Sequence, residues 1–486
     1  MFGHLLFVLT FVNIALAIPA RHVAENGGLV VALGVLGLWR YSWGLVNFLR
    51  AQLFIHVYHP RRKVRATDRY LQRQPAHAFF LVTTYKVAPP VTQRVYQSIF
   101  LAAASSRGGA TIVASVVEAA DERLIRQLFS VMPINRSGLR LIIDRIPATG
   151  KRDALAASLR IISRNCPGRD DLVVLVDGDS CPPHDTVERA APFFTDQSIG
   201  ALTTDEDCDI PQAGLFHDWF KLRFAQRQMM MSSMGLSKRV LTLTGRLSVF
   251  RATLACDAGF IRAVQYDSID HWRLGKVDFL TGDDKSTWFW LLKHGYEMAY
   301  LPDVRSISME TQPEPSFFRS VIALMLRWFG NMLRTNARAI ALGPGRIGLF
   351  TWWSLLDQRI SMWTTLLGPT TAIVSSFMIS PVILPLYVAW VMFTRYIHCW
   401  VLRSFGGSFP ISYPFLLYFS QITGALVKTY ILFRLDRQRW TRQSSRTASK
   451  TSRASAHWRA LSSAYVHLLA CGWLLLAAFM ISGATI

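Results

Sequence analysis

The sequence predicts an α/β domain with a mostly parallel sheet, inserted between transmembrane helices. Three observations carry this expectation. Hydrophobic residues make up 51% of the chain and mean hydropathy is +0.25, too apolar for an ordinary soluble enzyme. From about Ala76 to Arg305, by contrast, short β-rich runs alternate with helical stretches, as in a parallel sheet covered on both faces. The basic clusters lie beside the apolar runs, where they mark a cytoplasmic membrane face.

Net charge is +22 over 486 residues. A nucleic-acid binder would account for the charge, but its position next to apolar spans argues for membrane and against nucleic acid. The six cysteines (Cys166, Cys181, Cys208, Cys256, Cys399 and Cys471) form no CxxC pair and no metal-ligand spacing. They read as small hydrophobes in a reducing compartment.

Taken in order, residues 5–20 form a marginal first span. Ala15-Leu16-Ala17 mimics a signal-peptide cleavage site, but no Lys or Arg precedes the run, which favours a retained span. Gly28 to Phe48 is long enough to cross a hydrocarbon core of ~30 Å. Arg40 interrupts it and should snorkel or face a polar cavity. Arg50, Arg61, Arg62, Lys63, Arg65, Arg69 and Arg73 follow, against Asp68 alone, so the next domain should be cytoplasmic.

Within that domain, Ala78–Thr84 and Thr111–Val117 read as strands, the second running into Glu118. Leu141-Ile142-Ile143 leads to Gly150-Lys151-Arg152, which opens a helix. Val173–Val176 is a buried central strand that runs straight into Asp177-Gly178-Asp179. Taken alone, that tripeptide fits an ordinary turn as well as a cation site. Later come Gly245-Arg246, Gly282-Asp283-Asp284 opening an amphipathic helix, and Arg327-Trp328 in a helical run from Phe317 to Asn336.

Beyond Gly345 the chain turns apolar. Residues 346–360, with Asp357, Gln358 and Arg359 beside Trp352 and Trp353, read as an interfacial helix. Met362–Ser380 and Val382–Val401 read as spans, with a hairpin at Pro381. Pro414–Phe433 is followed by a basic segment from Arg434 to Arg459. Were it a span, that segment would lie outside, so it is expected to be interfacial or re-entrant. Ala464–Ile481 is the last span. The resulting organisation is 1–55 N-terminal transmembrane helices, 56–345 cytoplasmic domain, 346–434 interfacial and transmembrane helices, 435–461 basic cytoplasmic segment and 462–486 C-terminal transmembrane helix.

Glu118, Lys151, the Asp177/Asp179 pair and the Asp283/Asp284 pair all fall at strand ends or helix starts. Carboxylates there could hold a cation against a diphosphate, Lys151 could add positive charge, and a separate carboxylate could take a proton from an attacking hydroxyl. Metal, diphosphate and base together point to transfer from a nucleotide-linked donor.

In this order the motifs resemble those of the processive, inverting family 2 glycosyltransferases, which include the cellulose, chitin and hyaluronan synthases. Lys221–Arg227, Leu236–Thr242, Gly245–Ala252, Thr281–Ser286, Phe433–Gln438 and Trp440–Gln443 further resemble the catalytic subunits of bacterial alginate synthases.

The resemblance implies a GT-A-type fold and a set of roles. Asp177 and Asp179 would contact the nucleotide and coordinate Mg²⁺ or Mn²⁺. Glu118 would recognise the base of a GDP sugar, and Lys151 belongs to the same donor side. Asp284 would be the general base, beside Asp283. Arg327 and Trp328, with Gly245 and Arg246, would hold the diphosphate and the acceptor. The family's glutamine three residues before its arginine is Leu324 here. Trp440, Thr441 and Arg442 resemble a cytosolic gating loop.

The implied activity is polymerisation of GDP-mannuronate into β-1,4-mannuronan, with translocation of the chain across the bacterial inner membrane. The implied partners are a cyclic-di-GMP-sensing membrane co-polymerase subunit and periplasmic scaffold and export proteins. A synthase of a hyaluronan- or chitin-like polymer, or a catalytically silent scaffold or pore, would share parts of this pattern.

Overall fold

The structure is a computed structural model and describes residues 2–17, 27–438 and 453–483. Its strands are β1 (Ala78–Thr84), β2 (Ala110–Val116), β3 (Leu139–Arg145), β4 (Leu172–Asp177), β5 (Ser180–Cys181), β6 (Ile199–Asp209), β7 (Leu247–Arg251), β8 (Ser268–His271), β9 (Gly275–Asp278) and β10 (Glu297–Met309). Eight of them form one sheet in the order β3-β2-β1-β4-β7-β6-β10-β5, while β8 and β9 form a separate hairpin. β3, β2, β1 and β4 run parallel, as do β6 and β10; β7 and β5 run antiparallel. The strand–helix alternation predicts this mixed, mostly parallel sheet, and its GT-A-like fold is the one the resemblance implies.

The unbroken apolar runs of β1 and β4 are explained by burial on both faces. Ala78, Phe80 and Val82 enter one core with the Pro89–Ala104 and Ala119–Val131 helices. Phe79 and Leu81 enter the other, with the Lys151–Arg164, Ala258–Gln265 and Asp283–Lys293 helices. β1 lies between β2 and β4, so the chain winds away from it in both directions. Open α/β sheets have their crevice at the carboxyl ends of such strands.

A third core joins this domain to the apolar helices. Trp219, Phe220 and Phe224 of the Leu215–Gly235 helix pack there with Val321, Leu324, Leu402 and Leu416.

Two helices differ from the expectation. The interfacial helix at 346–360 and the span at Met362–Ser380 are one continuous 30-residue helix, Leu349–Met378. It runs through Asp357-Gln358-Arg359 because each polar side chain finds a partner. Arg40 Nη1 donates to Asp357 Oδ1 at 2.7 Å, Asn336 Nδ2 donates to Gln358 Oε1 at 2.7 Å, and Arg359 Nη2 donates to the Leu333 carbonyl at 3.2 Å. Arg40, expected to snorkel or face a polar cavity, is paired with Asp357. Likewise the Gly27–Leu53 helix does not stop at the expected boundary near residue 55. It passes through a π-turn, Phe54–Tyr58, into His59–Leu71.

The run expected to be interfacial or re-entrant, Pro414–Phe433, lies in a regular 21-residue helix, Ser412–Leu432. Among the described residues, this helix and Ala456–Ile481 are long and apolar enough to cross a membrane. Met362–Ser380 and Val382–Val401 also lie in long helices, but these are less apolar.

Candidate active site

A cleft of about 700 Å³ opens at the carboxyl ends of β1 and β4. Thr83 and Asp177 are partners in the β1–β4 register, and Asp177 is the last residue of its strand. A Cβ on Gly178 would lie 2.5 Å from the Thr83 carbonyl oxygen, so the chain can leave the sheet here only at glycine. Asp179 follows at once, and its carbonyl accepts from the Met309 amide of β10 at 2.7 Å. Both aspartates line the cleft.

Lys151 opens the Lys151–Arg164 helix and reaches across the cleft floor. Its Nζ lies 2.7 Å from Asp177 Oδ1 and 3.0 Å from Asp283 Oδ2. One ammonium thus joins the sheet end to the start of the Asp283–Lys293 helix. Gly245 approaches the same point, since a Cβ on it would be 2.9 Å from Asp177 Oδ2 and 3.4 Å from Lys151 Nζ.

The turn carrying Asp283 and Asp284 is held from behind. Gly282 has φ +83°, a left-handed conformation that glycine adopts without penalty, and Asn331 fills the space where a side chain would be. Asn331 Oδ1 accepts from Thr281 Oγ1 at 2.7 Å and from Arg334 Nη2 at 2.6 Å. Arg152 Nη2 donates to the Thr281 carbonyl at 3.1 Å and to Ser286 Oγ at 2.9 Å. Arg338 grips Asp267 with two bonds, 2.7 and 2.9 Å, and Asp267 accepts from Ser286 Oγ at 2.5 Å. Gln438 spans Phe279 by accepting from the Leu280 amide at 3.0 Å and donating to the Asp278 carbonyl at 2.8 Å.

These contacts separate the acids electrostatically. Burial pushes Asp284 above the usual carboxylate range and the adjacent Asp283 charge pushes it further, against the pull of Lys285 and Lys151. Burial acts on Asp283 in the same direction, but Lys151 and Arg152 outweigh it and keep Asp283 below that range. Asp177 is raised to about 6 by burial, opposed by Lys151 and supported by Asp179 and Asp283. Asp283 is therefore held charged as part of the ion network, while Asp284 has the raised basicity a proton acceptor needs.

On the other wall, Arg246 Nη1 meets Glu206 Oε2 at 3.0 Å and Nη2 meets Glu310 Oε1 at 2.7 Å. Glu206 is fully buried and also faces Arg227 at 3.3 Å. Arg327 and Trp328 line the cleft from the Phe317–Ala341 helix, and Trp328 lies nearly parallel to Trp219 with centroids 5.9 Å apart. Leu324 also lines the cleft and is largely buried in the junction core; two amides, Asn331 and Gln358, line it as well.

Of the sequence-selected residues, Lys151, Asp177, Asp179, Gly245, Arg246, Asp283, Asp284, Arg327 and Trp328 are brought to this one cleft. Glu118 is exposed at the start of the Ala119–Val131 helix and stands outside the lining, which its neighbour Val117 joins. Trp440, Thr441 and Arg442 lie outside the described residues. Sequence reasoning missed Glu206, Glu310, Arg223, Asn331 and Gln438. Glu206 had a signal, an acidic run at the end of a strand; Arg223 and Gln438 fall inside stretches that carry the resemblance but were given no role, and Glu310 and Asn331 have no local mark.

Among the described residues, no group of three or more His, Cys, Asp or Glu converges to form a metal cage. A hard cation bound through one or two carboxylates and a substrate diphosphate needs no such cage. Asp177 and Asp179, both facing the cleft, fit that mode.

The model of the Glycosyltransferase like family 2 matches residues 75–331, the whole of the sheet domain and Arg327-Trp328 on its following helix. The chain belongs to that family. It is 42% identical over 449 residues to glycosyltransferase alg8 of Pseudomonas syringae pv. tomato, covering 91% of this chain and 90% of the relative. It is also 42% identical over 450 residues to glycosyltransferase alg8 of Azotobacter vinelandii, with the same coverage. The family 2 assignment makes the chain a glycosyltransferase, and the relatives bear out the resemblance to alginate synthase catalytic subunits. Among solved structures it is similar to the mannosyltransferase PcManGT from Pyrobaculum calidifontis in complex with GDP-Man and Mn²⁺, with TM-score 0.44, 16% identity and 79% of this chain covered against 98% of that one.

Proposed function

We propose that the chain polymerises mannuronate from GDP-mannuronate into β-1,4-mannuronan and passes the product through the membrane. The observation that carries this reading is the convergence of Lys151, Asp177, Asp179, Asp283, Asp284, Arg327 and Trp328 on one cleft that borders the apolar helices.

In this mechanism Asp177 and Asp179 would hold Mg²⁺ or Mn²⁺, which would supply positive charge against the diphosphate. Lys151, Arg246 and Arg327 add positive charge on the donor side. Asp284 accepts the proton of the acceptor hydroxyl. The hydroxyl oxygen forms its bond to the anomeric carbon as the bond from that carbon to the diphosphate oxygen breaks. The nucleoside diphosphate leaves and the configuration inverts. Trp328 and Arg327 orient the acceptor end. Glu118 would read the base from the rim, and Trp440-Thr441-Arg442 would cover the bound nucleotide.

The exposed apolar surface supports the membrane frame. Phe377, Trp390, Trp400, Leu468 and Trp473 are exposed on long helices, a cover that suits lipid and not water. The proposed setting is a multi-pass inner-membrane protein with the sheet domain in the cytoplasm. Control would come from a cyclic-di-GMP-sensing membrane subunit, and the product would pass to periplasmic scaffold and export proteins.

The test incubates membranes containing the full chain with labelled GDP-mannuronate, GDP-mannose and UDP sugars, with and without divalent cation. Cation-dependent polymer from GDP-mannuronate alone is expected. Polymer from a UDP sugar would replace this reading with a hyaluronan- or chitin-like synthase. No polymer from any donor, with full-length protein present, would favour a silent scaffold. A reporter fused near residue 450 should be cytoplasmic.

A further inference from the structure

The arginines around the cleft divide into two groups. Arg246 and Arg227 are paired with Glu206 and Glu310, Arg305 with Asp205, and Arg152 is tied to Ser286 and two carbonyls. Arg223 and Arg327 both line the cleft, and among the described residues neither meets a carboxylate within ion-pair distance. Arg327 belongs to the motif already assigned to the diphosphate and the acceptor. Arg223 has no assignment.

Its setting is built. The Arg223 guanidinium carbon lies 4.1 Å from the Trp328 ring centre and 4.9 Å from that of Trp219, so two indoles fix its plane. Trp219 is itself locked by a 2.7 Å bond to Ser420 Oγ. A planar guanidinium held against aromatic rings keeps its N–H edge free for two parallel bonds to a carboxylate. Burial and the neighbouring Arg246 both disfavour the charge on Arg223, and Glu310 compensates only in part, so an incoming anion would be welcome. A second cation, Lys428, rests with its ammonium 4.7 Å from the ring centre of Phe329, itself a residue of the cleft wall.

We propose that Arg223 is the specificity-determining residue that reads a carboxylate of the growing chain on the acceptor side, and so selects an acidic polymer over a neutral one. The proposal rests on the polymerase reading above. It places the anion reader on the acceptor side because Arg223 stacks beside Trp328, the residue given to the acceptor end above.

The test measures binding of a fluorescent β-1,4-linked hexauronate, and of its carboxyl-reduced neutral twin, to detergent-solubilised full chain. Wild type should prefer the acid by about tenfold or more, the worth of a charge-assisted bidentate contact. Arg223→Gln should erase the preference while leaving the neutral oligomer's affinity in place, and Arg223→Lys should retain part of it. Competition by GDP against labelled GDP-mannuronate should be unchanged in Arg223→Gln. Equal loss for both oligomers, an unchanged ratio, or loss of donor competition instead would overturn the assignment. Turnover is read separately in membranes. Wild type that distinguishes the oligomers but transfers no uronate would sink the polymerase reading and leave Arg223 standing. Wild type that transfers uronate but binds both alike would do the reverse.

Discussion

Lys151 Nζ lies 3.0 Å from Asp283 Oδ2 and, through the same nitrogen, 2.7 Å from Asp177 Oδ1. Two carboxylates from elements far apart in the chain are thereby held together by one cation. Replacing Lys151 with Met should leave them facing each other without compensation. A loss on the order of 3 kcal/mol in stability, the scale of a broken buried ion pair, is expected along with at least a hundredfold loss of transfer. Thermal unfolding and donor incorporation in membranes check both, and a fully active Lys151→Met chain would contradict the arrangement.

The activity should carry an acid limb set by Asp284. A base works only when ionised, and burial followed by the Asp283 charge raises Asp284. Activity should therefore fall as pH drops through a value above the ordinary carboxylate range of about 4. Asp283→Asn removes one of the raising charges, so the limb of its residual activity should move to lower pH. Asp284→Asn should abolish transfer at every pH tested. A limb that does not move in Asp283→Asn would separate the rate from this pair.

Gly178→Ala puts a methyl against the Thr83 carbonyl oxygen at 2.5 Å, and backbone cannot yield as a side chain can. The strands must part by several tenths of an ångström or the turn must shift, at a cost of about 1–3 kcal/mol. Because that turn carries Asp179, donor KM should rise more than the melting temperature falls.

Gln438→Ala removes two bonds from the loop that leads to Asp283, the one accepted from Leu280 and the one donated to Asp278. At about 1 kcal/mol each, the chain should still fold. The expected effect is on kcat, several-fold down, with donor KM little changed. A variant with wild-type kcat would show that the turn is held without Gln438.

Much of this was legible in the sequence for local reasons. The β4 run is apolar at every position because both faces are covered, so its Asp-Gly-Asp ending stands out. Gly282 and its two aspartates are a helix start visible by residue type. Partners across space were not legible. Asp357 and Arg359 look like a surface helix when hydropathy is averaged over neighbours, because the average cannot see Arg40 or the Leu333 carbonyl. Asn331 is one polar residue in an amphipathic helix until Gly282 is placed against it. Glu118 shows the converse: its position just past a strand end was legible, but not that it would stand exposed at the start of its helix, outside the lining that Val117 joins.

The Leu349–Met378 helix has one further consequence. Gln358 on it lines the cleft, and the helix continues for twenty residues to Met378, about 30 Å at 1.5 Å per residue. Pro369 is the one proline within it and the natural place for it to bend. Gln358 in the cleft wall and the exposed Phe377 therefore stand on one helix, on either side of Pro369.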